Sequence, residues 1–130
     1  MNASVKLPLM VIDDDDDLRE AVVDIMASQG YEVLEFADAR VALNHLESGA
    51  TPFLILLDLM MPRMSGWEFR VAQLKNPQLA SIPVVVITAA TKLSDGFHVL
   101  SDVEVLRKPF DLESLMTVVR RYAAMGPGPR

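Results

Sequence analysis

Five short apolar runs divide the chain, and each interval between them is long enough to hold a helix. The runs are Leu9–Ile12, Tyr31–Phe36, Phe53–Leu57, Pro83–Ile87 and Val103–Leu106. Most of them lack strict polar alternation, which is typical of strands that are buried on both faces. We therefore expect five strands in a parallel sheet.

Apolar residues at helical spacing fill the intervals between these runs. The spacing predicts a helix from about Leu18 that ends before Gly30, and others over 38–49, 65–74 and 111–124. A fifth, short or irregular helix is predicted over 91–102, where Gly96 interrupts the pattern. Strands that alternate with helices predict a doubly wound α/β fold with helices on both faces of the sheet.

Composition and charge narrow the class of protein. The 130 residues suit one domain, and 51% hydrophobic residues can fill its core. A net charge of −6 gives no basic surface for nucleic acid, and the absence of cysteine excludes disulfides and thiolate metal sites. No apolar run reaches the roughly 18 residues of a membrane span, and residues 1–8 do not resemble a signal peptide. We expect a cytoplasmic domain over 9–124, with flexible ends at 1–8 and 125–130.

Acidic, hydroxyl and basic side chains follow the predicted strands. Asp13 and Asp14 follow the first, Asp58 the third and Thr88 the fourth, while the fifth runs into Lys108. The carboxyl ends of parallel strands meet at one edge of such a sheet, where ligands bind. Three carboxylates that lie close together need a neutralising cation, and Mg²⁺ prefers oxygen ligands of this kind. Lys108 adds a positive charge suited to a phosphate.

The acidic run Asp13–Asp17 allows other interpretations. It partly imitates a calcium-binding loop, but Leu18 stands where such a loop needs glycine and Asp24 where it needs glutamate. We expect Asp15 and Asp16 to be solvated and Asp17 to cap the first helix.

Four segments in this order resemble the receiver domain of bacterial two-component response regulators, of the single-domain chemotaxis type. The segments are Val11–Asp15, Leu56–Pro62 followed by Gly66, Val86–Ala89 and Lys108–Phe110. The resemblance covers the chain from about Leu9 to Ala124. It implies a flavodoxin-like sheet of five parallel strands in the order 2-1-3-4-5, with five helices.

The resemblance also implies a role for each matching residue. Asp58 would accept the phosphoryl group, and Asp13, Asp14, Asp58 and the main-chain carbonyl of Met60 would hold Mg²⁺. The Thr88 hydroxyl, the Ala89 main-chain N–H and Lys108 would contact the phosphoryl group. The Lys108–Pro109 peptide bond is often cis in the family.

The chain departs from the family pattern on the output side. Val105 stands three residues before Lys108, where the family usually has Tyr or Phe, and the spacing from Thr88 to Lys108 is slightly short. The phosphorylation site is therefore complete while the usual route to the surface is not. We expect an unusual output face around Phe97, Val99, Leu100 and Val105.

The resemblance implies a phosphoacceptor signalling domain rather than an enzyme that acts on other substrates. Its partners would be a sensor histidine kinase or a histidine phosphotransfer protein, and a downstream protein. Six residues after the last helix are too few for an output domain, so we expect a stand-alone monomer that contacts neither nucleic acid nor membrane. The alternatives are a piece of a larger kinase or regulator, and a dimer that forms through the last two strands and the fifth helix. One alternative is a receiver-like interaction module that takes no phosphate. Another is a magnesium-dependent phosphatase, although Met60 stands where such enzymes usually carry a second aspartate.

Overall fold

The computed structural model describes residues 7–89 and 97–125 of the chain. Its strands are β1 (Leu9–Ile12), β2 (Val33–Phe36), β3 (Leu54–Asp58), β4 (Val84–Thr88) and β5 (Glu104–Arg107). Its helices are α1 (Asp16–Ser28), α2 (Ala39–Glu47), α3 (Gly66–Lys75) and α4 (Leu112–Met125), with a 3₁₀ helix over Phe97–Leu100. None of the helices within the described ranges is long and apolar enough to cross a membrane.

All strand pairs are parallel, and the sheet order is β2-β1-β3-β4-β5, as predicted. The three central strands β1, β3 and β4 are buried along their whole length. Their side chains belong to two apolar clusters, one on each face of the sheet. One cluster includes Leu43 of α2 and Phe69 of α3, and the other includes Met26 of α1 and Leu115 of α4. The apolar runs lack polar alternation because both faces are covered.

The expectation of five helices is corrected to four α-helices and one 3₁₀ helix within the described residues. The fifth helix was predicted over 91–102, and residues 91–96 lie outside the described ranges. In the remainder, Phe97–Leu100 forms a single 3₁₀ turn. A hydrogen bond from the Val103 N–H to the Leu100 carbonyl then leads the chain into β5. A stretch this short cannot present the regular stripe of a longer helix.

Helix α1 begins earlier than predicted, and its cap is Asp15 rather than Asp17. The Asp15 carboxylate accepts a hydrogen bond from the Leu18 N–H at 3.2 Å, with Asp15 itself in extended conformation. Asp16 and Asp17 lie in the first turn, where acidic side chains face the positive end of the helix dipole. Asp15 is therefore a capping residue and not merely solvated. Asp38 and Asp111 cap α2 and α4 as predicted.

Two of the predicted boundaries shift because hydrogen bonds at the helix ends decide them. The N–H of Tyr31 donates to the Met26 carbonyl, so Tyr31 closes the end of α1 and β2 begins only at Val33. Ser65 and Glu68 form a reciprocal capping box that fixes the start of α3 at Gly66.

Candidate functional site

The site lies at the carboxyl ends of β1 and β3, which are neighbours in the sheet. Asp13 directly follows β1, and Asp58 is the last residue of β3. Ile12 pairs with Leu57 in the strand register, so the next residues of the two strands come side by side. Thr88 ends β4 next to them and is buried.

Asp13, Asp14 and Asp58 form a compact acidic cluster. One carboxylate oxygen of each lies within 4.8 Å of those of the other two. Asp13 is fully buried and Asp58 is only 4% exposed, while Asp14 faces solvent. The N–H of Asp15 donates to Asp13 at 2.9 Å, and the N–H of Met60 donates to Asp58 at 3.3 Å. These hydrogen bonds orient the two buried carboxylates and leave other oxygens in the cluster for a ligand.

Lys108 reaches this cluster from the loop after β5. Its Nζ lies 2.8 Å from Asp13 Oδ2 and 3.9 Å from Asp58 Oδ2. The Lys108 N–H donates to the Thr88 carbonyl at 2.8 Å, which fixes the start of this loop against the end of β4. The Lys108–Pro109 peptide bond is cis, as the resemblance implied.

Burial and charge shift the titration of the site. The pKa of Asp58 is raised to about 6, chiefly because its carboxylate is buried and then because Asp13 repels its charge. The ammonium of Lys108 opposes this shift. Burial alone would lower the pKa of Lys108, but its hydrogen bond to Asp13 and the nearby carboxylates raise it. Lys108 therefore stays charged, and Asp58 is ionised mainly above pH 6.

The donor set fits a hard divalent cation. Three carboxylates face one ammonium, so the cluster carries excess negative charge in a largely buried place. Mg²⁺ accepts a few carboxylate oxygens and keeps several waters, which suits a cluster with Asp14 open to solvent. Burial raises the pKa of Asp58, the charges of Asp13 and Asp14 add to the rise, and the single ammonium of Lys108 offsets only part of it.

Ala89 and Met60, the two positions expected to contribute main-chain atoms, lie beside the cluster. Ala89 follows β4 and lines an open cavity of about 370 Å³, together with Asp15, Lys108 and Phe110. The Met60 side chain is 60% exposed next to Asp58. The structure thus brings all the predicted site positions to one edge of the sheet, while the roles of Ala89 N–H and Met60 carbonyl stay predictions.

Gly66 packs against the main chain of Asp58. A β-carbon at Gly66 would lie 2.4 Å from the Asp58 carbonyl oxygen and 2.7 Å from the Leu59 α-carbon. The Gly66 N–H donates to the Leu59 carbonyl at 3.0 Å and closes the loop between β3 and α3. The start of α3 is therefore in direct contact with the residue that carries the central carboxylate.

Arg19 is a site neighbour that the sequence interpretation missed. Its guanidinium donates to the Asp13 carbonyl at 2.8 Å and also pairs with Asp16 and with Glu35 of β2. It ties α1 to the ends of β1 and β2 behind the acidic cluster. Its position three residues after Asp16, one turn along α1, is the sequence signal that would have suggested it.

The expected output face is only partly supported. Leu100 is 4% exposed and belongs to the apolar core, so it cannot present a surface. Val99 and Val105 are half-buried and pack against the same core. The side chain of Phe97 lies outside the described part of the chain.

Comparison with known proteins identifies the family. A family profile described as the response regulator receiver domain matches residues 9–120. The chain belongs to this family. Receiver domains are signalling domains of two-component systems, and the acidic cluster is consistent with the Mg²⁺ that they generally use.

Two curated relatives resemble this receiver domain along most of its length. The DNA-binding dual master transcriptional regulator RpaA from Synechocystis is 32% identical over 115 residues. The response regulator MprA from Mycolicibacterium vanbaalenii is 35% identical over 115 residues. Each alignment covers 86% of this chain but only 47% and 48% of the respective relative. The chain therefore spans about half the length of these relatives.

Solved structures match the fold over almost the whole receiver domain. A CheY-like receiver domain protein from Methanospirillum hungatei is 28% identical with a TM-score of 0.82, covering 93% of this chain and 97% of that one. The chemotaxis protein CheY4 from Vibrio cholerae is 28% identical with a TM-score of 0.80, covering 91% and 99%.

Proposed function

We propose that this receiver domain takes a phosphoryl group on Asp58 from a phosphohistidine, in a magnesium-dependent reaction in the cytoplasm. The phosphodonor is a sensor histidine kinase or a histidine phosphotransfer protein. The observation that carries the proposal is the cluster of Asp13, Asp14 and Asp58, with Lys108 ion-paired to it at one edge of the sheet. The proposal concerns the receiver domain, and the DNA binding named for RpaA belongs to that relative.

The reaction follows from the nucleophile and the charges around it. A carboxylate oxygen of Asp58 attacks phosphorus, the P–O bond forms and the P–N bond to the donor histidine breaks. The electron pair stays on the leaving imidazole nitrogen, which takes a proton from solvent. Asp58 must be ionised to attack, and its pKa of about 6 leaves most of it ionised at neutral pH. Its burial excludes water from one side of the nucleophile.

Three further groups act on the transferred phosphoryl group. Lys108 pairs with one of its oxygens, and Thr88 and the Ala89 N–H approach it from the end of β4. Asp13, Asp14, Asp58 and the Met60 carbonyl would hold Mg²⁺. When bound, this ion neutralises negative charge that builds up between the carboxylates and the phosphoryl oxygens.

The added charge supplies the signal. A phosphoryl group places new negative charge beside Lys108 and Thr88, where the end of β4 meets the segment after β5. A shift between two packings at this edge of the sheet changes the surface that a partner protein contacts.

Intact mass measurement with the small phosphodonor acetyl phosphate tests the proposal. Wild-type protein with Mg²⁺ should gain one alkali-labile phosphoryl group, and EDTA should prevent the gain. Asp58→Asn should gain none. Asp24→Asn, which removes an exposed acid of α1 outside the cluster, should behave as wild type. A folded wild-type protein that binds Mg²⁺ and gains no adduct would contradict the proposal and favour an interaction module.

A further inference from the structure

Arg70 is a nearly buried cation on α3 that no part of the phosphorylation site uses. It is 5% exposed. Its Nε donates to the Val99 carbonyl at 3.1 Å, and its guanidinium pairs with Asp102 at 3.3 Å. Val99 lies in the 3₁₀ helix, and Asp102 lies in the turn between that helix and β5. Arg70 therefore holds this segment, Val99–Asp102, against α3.

Gln73 extends this contact into a buried polar network. Its amide oxygen accepts a hydrogen bond from Arg70 at 2.9 Å, and its amide nitrogen donates to the carbonyls of Leu79 and Ile82, each at 3.0 Å. Gln73 is fully buried, so these bonds replace water completely. The network joins α3 to the loop before β4 and to Val99–Asp102.

The same helix touches the phosphoacceptor at its other end. Gly66, one turn before Arg70, lies against the Asp58 carbonyl, and its N–H bonds to Leu59. Helix α3 is thus held by Asp58 at its first residue and holds Val99–Asp102 at its fifth. The residue type that usually couples the hydroxyl of Thr88 to the surface is replaced here by Val105, a half-buried apolar side chain.

We propose that Arg70 is a positioning residue that couples the state of Asp58 to the Val99–Asp102 segment through α3. The inference rests on the proposed function, because the change at Asp58 is its phosphorylation. The coupling is a contiguous set of contacts: Asp58 carbonyl to Gly66, one turn of helix, and the Arg70 guanidinium to the Val99 carbonyl.

The test compares amide hydrogen exchange at Val99–Val103 before and after phosphorylation with Mg²⁺ and acetyl phosphate. Trp67, the only tryptophan of the chain, lies between Gly66 and Arg70 and gives a second readout by fluorescence. In wild type, phosphorylation should change exchange in this segment by roughly fivefold and shift Trp67 emission.

Two substitutions separate coupling from structure. Arg70→Met removes the hydrogen bonds and the charge at similar volume, and Arg121→Met removes the ion pair that ties α4 to Glu104 of β5 as a matched control. Arg70→Met should form the adduct as wild type does but lose at least about half of the exchange response. Arg121→Met should form the adduct and should keep the full exchange response. If Arg70→Met fails to fold, Arg70→Lys is measured instead. This variant keeps the positive charge but loses the planar guanidinium, which donates several hydrogen bonds in fixed directions.

Each outcome decides one of the two proposals. An adduct with an unchanged exchange response in the Arg70 variant overturns the coupling and leaves the proposed function standing. The same holds if wild type forms the adduct and Val99–Val103 does not respond, or if Arg121→Met loses as much response as Arg70→Met. The absence of an adduct in wild type overturns both. A merely structural Arg70 would change stability but not the difference between the phosphorylated and unphosphorylated states.

Discussion

Buried charge is compensated differently at the ends of the strands and beside α3. At the strand ends, three carboxylates share one lysine, and the pKa of Asp58 rises to about 6. Beside α3, the single guanidinium of Arg70 meets a carbonyl, an amide oxygen and a carboxylate. The first arrangement leaves charge that a ligand can neutralise, whereas the second is satisfied within the protein. Incomplete compensation, rather than burial itself, therefore distinguishes a binding site from a structural contact.

The largest change in the free energy of unfolding is expected from removing the fully hydrogen-bonded guanidinium of Arg70. Arg70→Met should lower the free energy of unfolding by about 3 kcal/mol, because the Val99 carbonyl and the Gln73 amide oxygen lose their buried donor. Urea unfolding followed by circular dichroism measures the change. A loss below about 1 kcal/mol would mean that these acceptors find other donors, and the contrast with the strand ends would weaken.

Lys108→Met should destabilise the metal-free protein by about 2–3 kcal/mol, because Asp13 is left buried with no cation. Mg²⁺ should recover part of this loss and should bind more tightly than in wild type, since no ammonium competes for the carboxylates. Unfolding in EDTA and in Mg²⁺, with a Mg²⁺ titration, measures both effects. Lys75→Met, at the exposed end of α3, should change neither. Weaker Mg²⁺ binding in the Lys108 variant would contradict the charge balance described for the cluster.

Asp58→Asn should change the free energy of unfolding in the opposite direction to Lys108→Met. It should stabilise the metal-free protein by about 2 kcal/mol at pH 7.5. The folded pKa of Asp58 is raised above its ordinary value of 3.8, so its ionised form destabilises the fold at high pH. The folded protein binds the proton more tightly, and the cost of the charge disappears as the pH falls through 6 towards 4. The advantage of the Asn variant should shrink over the same range.

Thermal unfolding of both proteins in EDTA between pH 4 and pH 8 checks this dependence. An advantage that stays constant with pH would show that the substitution acts through packing and not through charge. Asp24→Asn, an exposed acid of α1, should give no comparable pH-dependent difference.

Exposed acids should matter least, and only where they cap a helix. Asp15→Ala should cost about 1 kcal/mol, because the Leu18 N–H loses its acceptor, whereas Asp17→Ala should cost less than half of that. The free energy of unfolding of the two variants, measured side by side, decides between the cap observed here and the one expected from the sequence. Equal losses would mean that the dipole of α1, and not the hydrogen bond, sets the effect.

The sequence predicted which side chains the strand ends bring together, but not the contacts beside α3, for a physical reason. Asp58 and Thr88 each end a strand, and Asp13 directly follows one. Each of these strands is recognisable by its apolar run, and parallel topology then brings the three residues together. Arg70 and Gln73 bind main-chain carbonyls, which every residue has, so no pattern marks their partners. Leu100 was expected on an output face but is buried, since a single 3₁₀ turn directs it into the core.

The contact between Gly66 and the Asp58 carbonyl also defines how the protein can be engineered. The Gly66–Leu59 hydrogen bond pins the base of the six-residue loop 60–65, while its tip at Arg63 is largely exposed. A peptide tag or reporter inserted at the tip should leave both pinned ends in place, with loss of only the Arg63–Asp38 ion pair, whereas an added residue next to Gly66 should displace the helix from the phosphoacceptor. The length of the segment next to the base is therefore fixed, and the tip is the position open to insertion.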